Sequence, residues 1–263
     1  MDLGIAGNTA LITASSSGLG KASARTLARE GVNVVINGRD EAKLEAACNE
    51  IEAEAQGEVL AHLADLTDPD ALNGLVDATL NAFGGLDHLV TSAGGPPSGA
   101  FLDTDDADWY EAYDLLVMSV VRLVRHCAPH LKADGGGTIV TITSRSVKEA
   151  LDALVLSNSV RMSVIGLEKT LSKELAPEVR ANAVLPGAHE TARIRELIEQ
   201  GMERGDYDSY EEGLAEWGAG NPLQRIGDPM ELGHTVAFLS SPLSGYINGA
   251  AIPIDGGSGA SNL

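Results

Sequence analysis

The sequence is poor in aromatic residues, which make up 4% of its 263 residues, and it contains only two cysteines and six lysines. Cys48 and Cys127 lie far apart in helical patterns and form no CxxC motif, so we expect reduced thiols rather than a disulfide framework. No apolar run reaches the roughly 18 residues of a membrane span, and no signal-peptide pattern is present. These absences predict a cytoplasmic protein without a membrane partner.

Charge of one sign dominates, because 38 acidic residues stand against 18 lysines and arginines and give a formal net charge of −20. Such a balance argues against a nucleic-acid partner. An acidic, lysine-poor surface also suits a protein that stays soluble in concentrated salt, where charge repulsion is screened. A halophilic source is one hypothesis, and an ordinary acidic cytoplasmic protein is the alternative.

Short apolar segments alternate along the chain with helical patterns. Strands are predicted at residues 9–12, 32–36, 59–63, 86–91, 138–143, 180–185 and 251–254. The alternation is typical of a parallel sheet with helices on both faces. Because no linker or repeat divides the chain, we predict a single α/β domain over residues 1–263, a Rossmann-like doubly wound parallel sheet of about seven strands.

The helical patterns cover residues 21–30, 41–55, 68–83, 106–131, 154–176 and 229–240. Asp68 is the expected N-cap of the third pattern, and Pro129 is expected to interrupt the fourth near its end. Residues 192–220 form two acidic helical pieces on either side of residues 201–208. This insert is predicted to be a lid over a substrate.

The loop at residues 13–20, T-A-S-S-S-G-L-G, stands between the first strand and the first helix. Small side chains there let the backbone approach an anion, and the first N–H groups of the following helix point at it. The loop therefore predicts a phosphate site. Arg39 follows the second strand, where an arginine suits a 2′-phosphate, so NADP is favoured and NAD remains possible. Asp65 ends the third strand and either accepts from an adenine amino group or caps its own turn.

The loop, together with five later segments, resembles the short-chain dehydrogenase/reductases over essentially the whole chain, close to the β-ketoacyl carrier-protein reductase branch. The loop is similar to that family's TGxxxGxG motif, with Ala14 in place of the first glycine. Residues 248–249 and 254–257 resemble its C-terminal signature. Beside Arg39, the resemblance implies these cofactor-binding residues: Thr13, Ser15, Ser16, Ser17, Gly18, Leu19, Gly20, Asp65, Leu66, Ser92, Ala93, Gly94, Pro186, Gly187 and Thr191.

The same resemblance implies a catalytic Ser, Tyr, Lys and Asn. It places the serine at Ser144, the tyrosine position at Ser157, the lysine position at Arg161 and the asparagine position at Leu116. The chain is thus similar to a divergent subgroup that lacks the YxxxK pair. A serine hydroxyl is a poor general acid near neutrality, and an arginine that stays protonated cannot relay a proton as lysine can.

Several substitutes are considered for the missing acid. Lys148 and Glu149 follow Ser144 closely, and His189 titrates near neutrality; the alternative for each is an ordinary surface or loop position. His126, Cys127 and His130 superficially resemble metal ligands, but they stand at a proline-interrupted helix end, so no metal is predicted.

Three functions stay open. The first is an NAD(P)(H)-dependent oxidoreductase of a carbonyl or alcohol, 3-oxoacyl reductase-like, in which Ser144, Ser157 and Arg161 carry the chemistry. The second is a catalytically silent nucleotide-binding protein that acts as a sensor or partner subunit. The third is a different chemistry in which Arg161 binds an anionic substrate. The long helical patterns at 106–131 and 154–176 resemble the family's dimerising pair, so a homotetramer or a dimer is expected.

Overall fold

Seven parallel strands form one sheet at the centre of the molecule, in the order β3-β2-β1-β4-β5-β6-β7. The computed structural model describes residues 2–133 and 135–262. The strands are β1 (Thr9–Ile12), β2 (Asn33–Gly38), β3 (Val59–Leu63), β4 (His88–Thr91), β5 (Gly137–Ile142), β6 (Val179–Pro186) and β7 (Ala251–Ile254). The order reverses between β1 and β4, as in a doubly wound sheet. The predicted fold class is confirmed.

Helices follow the strands in turn and cover both faces of the sheet. They are α1 (Gly18–Arg29), α2 (Glu41–Glu52), α3 (Pro69–Phe83), α4 (Asp106–Tyr113), α5 (Ser119–Leu131), α6 (Val155–Glu174), α7 (Ala192–Arg204), α8 (Tyr210–Ala219) and α9 (Pro229–Ser240). No helix in the described part of the chain has the length and apolar character needed to cross a membrane.

Successive residues of each inner strand pack into opposite layers. Ile12 and Ile36 contact the apolar layer that contains α1, α2 and α9. Leu11 and Val35 belong to the layer on the other side, which contains α3 and α5. Because both faces are covered, the strands need apolar residues at every position rather than at alternate ones. This is why they read as continuous apolar runs in the sequence.

The start of α3 follows the sequence prediction. The Asp68 carboxylate accepts hydrogen bonds from the backbone N–H groups of Asp70, at 2.9 Å, and Ala71, at 3.2 Å. Proline at the first helical position loses no hydrogen bond, because that N–H would be unpaired in any case. Gly84 ends the helix with a left-handed backbone, at φ 78°.

The predicted helix at 106–131 is interrupted in a different place from the one expected. Pro129 lies within α5, near its last turn, and the interruption is a π-helical turn at Asp114–Met118. Leu116 and Val117 of this turn pack against Leu156 of α6. A π-helical turn has one more residue than an α-helical turn, so it shifts the helical phase between α4 and α5.

The sequence predicts two helical segments on either side of residues 201–208. In the structure the first of these helices, α7, continues to Arg204, so its end lies later than predicted.

Asn37, at the end of β2, ties three strand ends together. Its side-chain oxygen accepts from the Ala14 N–H at 3.2 Å, and its amide nitrogen donates to the carbonyls of His62, at 3.3 Å, and Ala64, at 3.0 Å. Its own backbone N–H donates to Ser15 Oγ at 2.8 Å. Since Asn37 is only 1% exposed, water cannot replace these bonds. The loops after β1, β2 and β3 are therefore fixed relative to one another.

Candidate functional site

A cleft of about 460 Å³ opens at the carboxyl ends of the central strands. This is where parallel sheets of this topology bind ligands, at the point where the strand order reverses. The cleft is lined by strand-end loops, three α-helices (α1, α6 and α7) and the π-helical turn, with contributions from residues 14, 16–20, 37–39, 64–66, 92–95, 115, 142, 143, 161, 191 and 192.

The loop after β1 forms one wall and brings the N-terminus of α1 to the cleft. A side chain at Gly20 would place its Cβ 2.5 Å from the Ala14 carbonyl oxygen, so only glycine fits there. Gly18 adopts a left-handed backbone at φ 58°, and Ala14 does so at φ 45°. Ser17 precedes the helix, and its side chain makes no capping hydrogen bond. The first N–H groups of α1 are thus left for a ligand, as an anion site requires.

Four of the predicted cofactor residues support the wall instead of lining it. Thr13 Oγ1 donates to the Ser92 carbonyl at 2.7 Å and accepts from the Ser92 N–H at 2.9 Å, which joins the ends of β1 and β4. Ser15 Oγ donates to the Ile12 carbonyl at 2.7 Å. Gly187 N–H donates to the Ile254 carbonyl at 3.0 Å, just after Pro186, and so joins β6 to β7. The other predicted cofactor residues all line the cleft.

Arg39 and Asp65 stand together at one end of the cleft. Both side chains are exposed. Asp65 Oδ1 accepts from the Thr67 N–H at 2.9 Å and from Thr67 Oγ1 at 2.7 Å, so the turn-capping role foreseen for it is present. Those two bonds, followed by the charge of Arg39, hold the pKa of Asp65 below its ordinary value. The Asp65 carboxyl is therefore charged at neutral pH.

The predicted catalytic serines lie beside the cleft and are linked through Ser146. Ser157 Oγ is 3.1 Å from Ser146 Oγ, and both hydroxyls are buried. Ser144 is half-buried, and its Oγ accepts from the Ser146 N–H at 3.1 Å. Neither Ser144 nor Ser157 lines the cleft, whereas the neighbouring Thr143 does. Sequence reasoning did not single out Ser146, which is the residue that brings the two together.

Arg161, one helical turn after Ser157, does reach the cleft. Its side chain is almost completely buried, and burial lowers its pKa to about 10, so it remains charged at neutral pH. No described residue accepts a hydrogen bond from it or forms an ion pair with it, and its Nε is buried without a partner. Arg180, by contrast, donates to four backbone carbonyls, those of residues 239, 241, 244 and 247. The charge of Arg161 is therefore uncompensated within the described chain.

The positions considered for a substitute acid lie elsewhere. Lys148 and Glu149 line a separate pocket, and Glu149 Oε1 pairs with Arg145 at 3.2 Å. His189 is buried, with Nδ1 3.1 Å from the Gly187 carbonyl oxygen, and burial lowers its pKa. Leu116 packs in the apolar cluster between α4 and α6. Of the described residues that line the cleft, only Arg39, Asp65 and Arg161 carry ionisable side chains.

A second buried ionisable group lies two turns along α6. Thr141 Oγ1 donates to Glu168 Oε1 and accepts from Thr91 Oγ1 at 2.8 Å, while Glu168 Oε2 has no partner in the described structure. Burial raises the pKa of Glu168 to about 8, against the opposing effect of the Thr141 hydrogen bond. The carboxyl is thus largely neutral at pH 7.

The sequence and the fold were compared with known proteins. The family model described as enoyl-(acyl carrier protein) reductase matches residues 13–259. The chain is 32% identical to the uncharacterized oxidoreductase YvaG of Bacillus subtilis (strain 168), over 98% of each chain. The structure of L-sorbose reductase from Gluconobacter frateurii, complexed with NADPH and L-sorbose, is similar at a TM-score of 0.94 and 29% identity, over 100% of each chain. An actinorhodin polyketide ketoreductase with NADPH gives 0.87 and 28%, over 96% of this chain and 97% of that one.

Arg161→Met is expected to raise the free energy of unfolding of the ligand-free protein by about 1–3 kcal/mol, because it removes a buried charge that has no partner among the described residues. Arg180→Met is the matched control and is expected to lower it by about 2–3 kcal/mol, since it leaves carbonyl oxygens unpaired. Urea unfolding followed by circular dichroism measures both. A loss of stability in Arg161→Met would show that the Arg161 guanidinium is paired or hydrogen-bonded in the folded protein.

Glu168→Gln is expected to remove a pH dependence of stability. The folded pKa of Glu168, about 8, lies above the ordinary value of 4.5, so its contribution is complete below pH 4.5 and is lost as pH rises to 8. The wild type should lose roughly 3–5 kcal/mol relative to Glu168→Gln over that interval. Thermal and urea unfolding from pH 4.5 to 8.5 measure the difference. Glu174→Gln, at the exposed end of α6, should keep the wild-type pH profile; equal profiles for wild type and Glu168→Gln would contradict the assignment.

Proposed function

The chain belongs to the short-chain dehydrogenase/reductase superfamily of oxidoreductases, and from that premise we propose that it is an NADP(H)-dependent oxidoreductase of a small carbonyl or alcohol substrate with an atypical catalytic site. The observation that carries the proposal is the cleft itself. The loop after β1, with Gly18 and Gly20, brings the uncapped N-terminus of α1 to the cleft. Arg39 lies at one end of the cleft.

The residues of the cleft fit a dinucleotide. The backbone N–H groups at Gly18–Gly20 would hold the pyrophosphate. The Ala14 carbonyl lies where a Cβ at Gly20 would stand, so the loop is tightly packed at this point. Arg39 would pair with a 2′-phosphate, which favours NADP over NAD. Thr191, against Gly18, would hold the nicotinamide side together with residues 92–94. When bound, the nicotinamide ring supplies or accepts the hydride.

The chain's own groups on the carbonyl side are unusual. Ser144, which follows the cleft-lining Thr143, would polarise the substrate oxygen once its hydroxyl turns from the Ser146 N–H toward the cleft. Arg161 would stabilise negative charge as it develops on that oxygen, because it stays protonated at neutral pH and lines the cleft. Ser157 would act only through Ser146, to which its hydroxyl is bonded. The reacting proton would then come from solvent.

The two helices after β6 would form a lid. Thr191 and Ala192 line the cleft and begin α7, so a movement of α7 would change the entrance directly. Glu190 Oε1 joins the two lid helices, since it accepts from Arg195 of α7 at 3.0 Å and from the Tyr210 hydroxyl of α8 at 2.9 Å. The Arg195 guanidinium also lies over the Tyr210 ring, 5.2 Å from its centre. The lid would therefore move as one unit.

A second candidate function is a silent nucleotide-binding protein, used as a sensor or partner subunit. The observation that favours it is the lack of a phenol, amine, imidazole or thiol among the described residues lining the cleft. Both candidates require nucleotide binding. They differ only in whether a bound carbonyl compound is turned over.

A homo-oligomer, tetramer or dimer, is part of the proposal. Tyr110 and Tyr113 of α4 and Met162 of α6 are exposed at 76%, 44% and 50%, and they belong to the two helices that contact each other beside the cleft. Exposed large apolar side chains that cluster on paired helices are typical of protein interfaces.

Nucleotide binding is tested by fluorescence titration with NADPH and NADH. NADPH is expected to bind at least about tenfold more tightly, because Arg39 adds a charge-assisted hydrogen bond to the 2′-phosphate. Arg39→Ala should remove this preference without weakening NADH, and Arg29→Ala, at the far end of α1, should leave both affinities unchanged. If neither nucleotide binds, the proposed function is wrong.

Catalytic competence is tested by rebuilding the missing pair. Ser157→Tyr combined with Arg161→Lys is expected to raise the rate of NADPH oxidation with ketone and 3-oxoacyl substrates by about 10²-fold or more, because a phenol beside an ammonium is an efficient general acid. Ser157→Phe with Arg161→Lys is the matched control, which adds the ring without the hydroxyl. A wild type without turnover, together with an active rebuilt variant, would favour the silent protein.

A further inference from the structure

The uncompensated charge of Arg161 defines a binding site on the carbonyl side of the cleft. We infer that Arg161 is the receptor for a carboxylate carried by the substrate, so that the substrate class is a small oxo- or hydroxy-carboxylate rather than a neutral ketone or alcohol. The inference names the substrate of the proposed oxidoreductase and rests on that proposal.

The first argument is burial without a partner. Arg161 is 8% exposed, and its Nε is buried without an acceptor among the described residues. Buried guanidinium groups are normally paired or hydrogen-bonded, and Arg180 shows that this chain can provide four acceptors for one. A charge held in place at such a cost indicates that a ligand completes the site.

The second argument is the direction from which the ligand must come. Arg161 borders two spaces, the main cleft of about 460 Å³ and a much smaller one of about 10 Å³ lined by Thr91, Ser119 and Thr141. The smaller space has room for no more than one water molecule, which cannot neutralise a charge. Only the main cleft has room for a counter-anion, and that is where the substrate would bind.

The third argument is the charge of the cleft. Its only described carboxylate is that of Asp65, which is bonded to Thr67 and lies beside Arg39. The other lining residues of the carbonyl side are apolar, hydroxyl-bearing or glycine, and include Ala93, Leu115 and Thr143. A guanidinium among such neighbours attracts an anion, because none of these lining side chains carries a negative charge that would compete for it. Because the chain has a net charge of −20, an anion needs a local cation to approach it.

The fourth argument selects a carboxylate among anions. A guanidinium presents a planar fork of donors that matches the two oxygens of a carboxylate, which a lysine at this position would not. The phosphate groups of a dinucleotide have their own partners elsewhere, at the N-terminus of α1 and at Arg39. A carboxylate on the substrate is the group that remains for Arg161.

The test uses pairs of ligands that differ only in charge: pyruvate against pyruvamide, and acetoacetate against acetoacetamide. Each is titrated calorimetrically into the full-length protein, with and without NADP⁺, in a buffer free of carboxylates. NADP⁺ prevents reduction, so binding is measured apart from turnover. At least one carboxylate is expected to bind about tenfold or more tightly than its amide.

Variants connect this preference to the residue. Arg161→Met should abolish the preference, Arg161→Lys should keep only part of it, and Arg29→Met should keep all of it. Thermal unfolding gives a second readout, since the carboxylate should raise the melting temperature of the wild type and leave that of Arg161→Met unchanged. Because Arg161→Met is expected to fold at least as stably as the wild type, a loss of binding cannot be assigned to unfolding.

The outcomes separate the inference from the proposed function. Equal binding of carboxylates and amides, no carboxylate binding at millimolar concentration, or a preference that survives in Arg161→Met would each overturn the inference. Turnover of an amide with NADPH would still uphold the proposed function in those cases. An Arg161-dependent preference without turnover of any ligand would leave the receptor in place and overturn the oxidoreductase.

Discussion

The buried amide of Asn37 is the interaction on which the nucleotide side of the cleft depends. It holds the loop after β1 through the Ala14 N–H, and the end of β3 with its following loop through the carbonyls of His62 and Ala64. Arg39 follows Asn37 by two residues, just beyond the end of β2. The phosphate loop, Arg39 and Asp65 thus take their relative positions from one side chain. Because the amide is buried and fully bonded, these positions are set before any ligand arrives.

The buried polar side chains around the cleft differ in whether they have hydrogen-bond partners. Those of Thr13, Ser15 and Asn37 all have partners within the chain, and Ser157 is bonded to Ser146. Arg161 has none among the described residues. A satisfied frame next to an unsatisfied charge is the arrangement expected of a rigid scaffold that keeps one binding group free for its ligand.

The sequence predicts the fold well because the signals that carry it are local. Strands buried on both faces must be apolar throughout, and helix ends such as Asp68 and Gly84 are marked by their own residues. Most residues lining the cleft follow from the strand-end rule together with the resemblance. The π-helical turn at Asp114–Met118 could not be predicted, since Pro129 is the stronger local signal and the turn arises from packing against α6. Asn37 was missed for a related reason, because an asparagine before a glycine is typical of an exposed turn.

The positions of the candidate catalytic side chains relative to the cleft could not be predicted from residue types alone. Ser157 and Arg161 stand one helical turn apart on α6, but this spacing does not reveal that only Arg161 reaches the cleft or that Ser157 is bonded to Ser146. Ala14 has a consequence of another kind. Its methyl group disfavours the left-handed backbone that Ala14 adopts at φ 45°, where glycine would be free, so folding meets a conformational cost at this point of the phosphate loop. The bond from the Ala14 N–H to Asn37 holds that conformation in the folded chain, so the cost is met during folding and not when a phosphate binds.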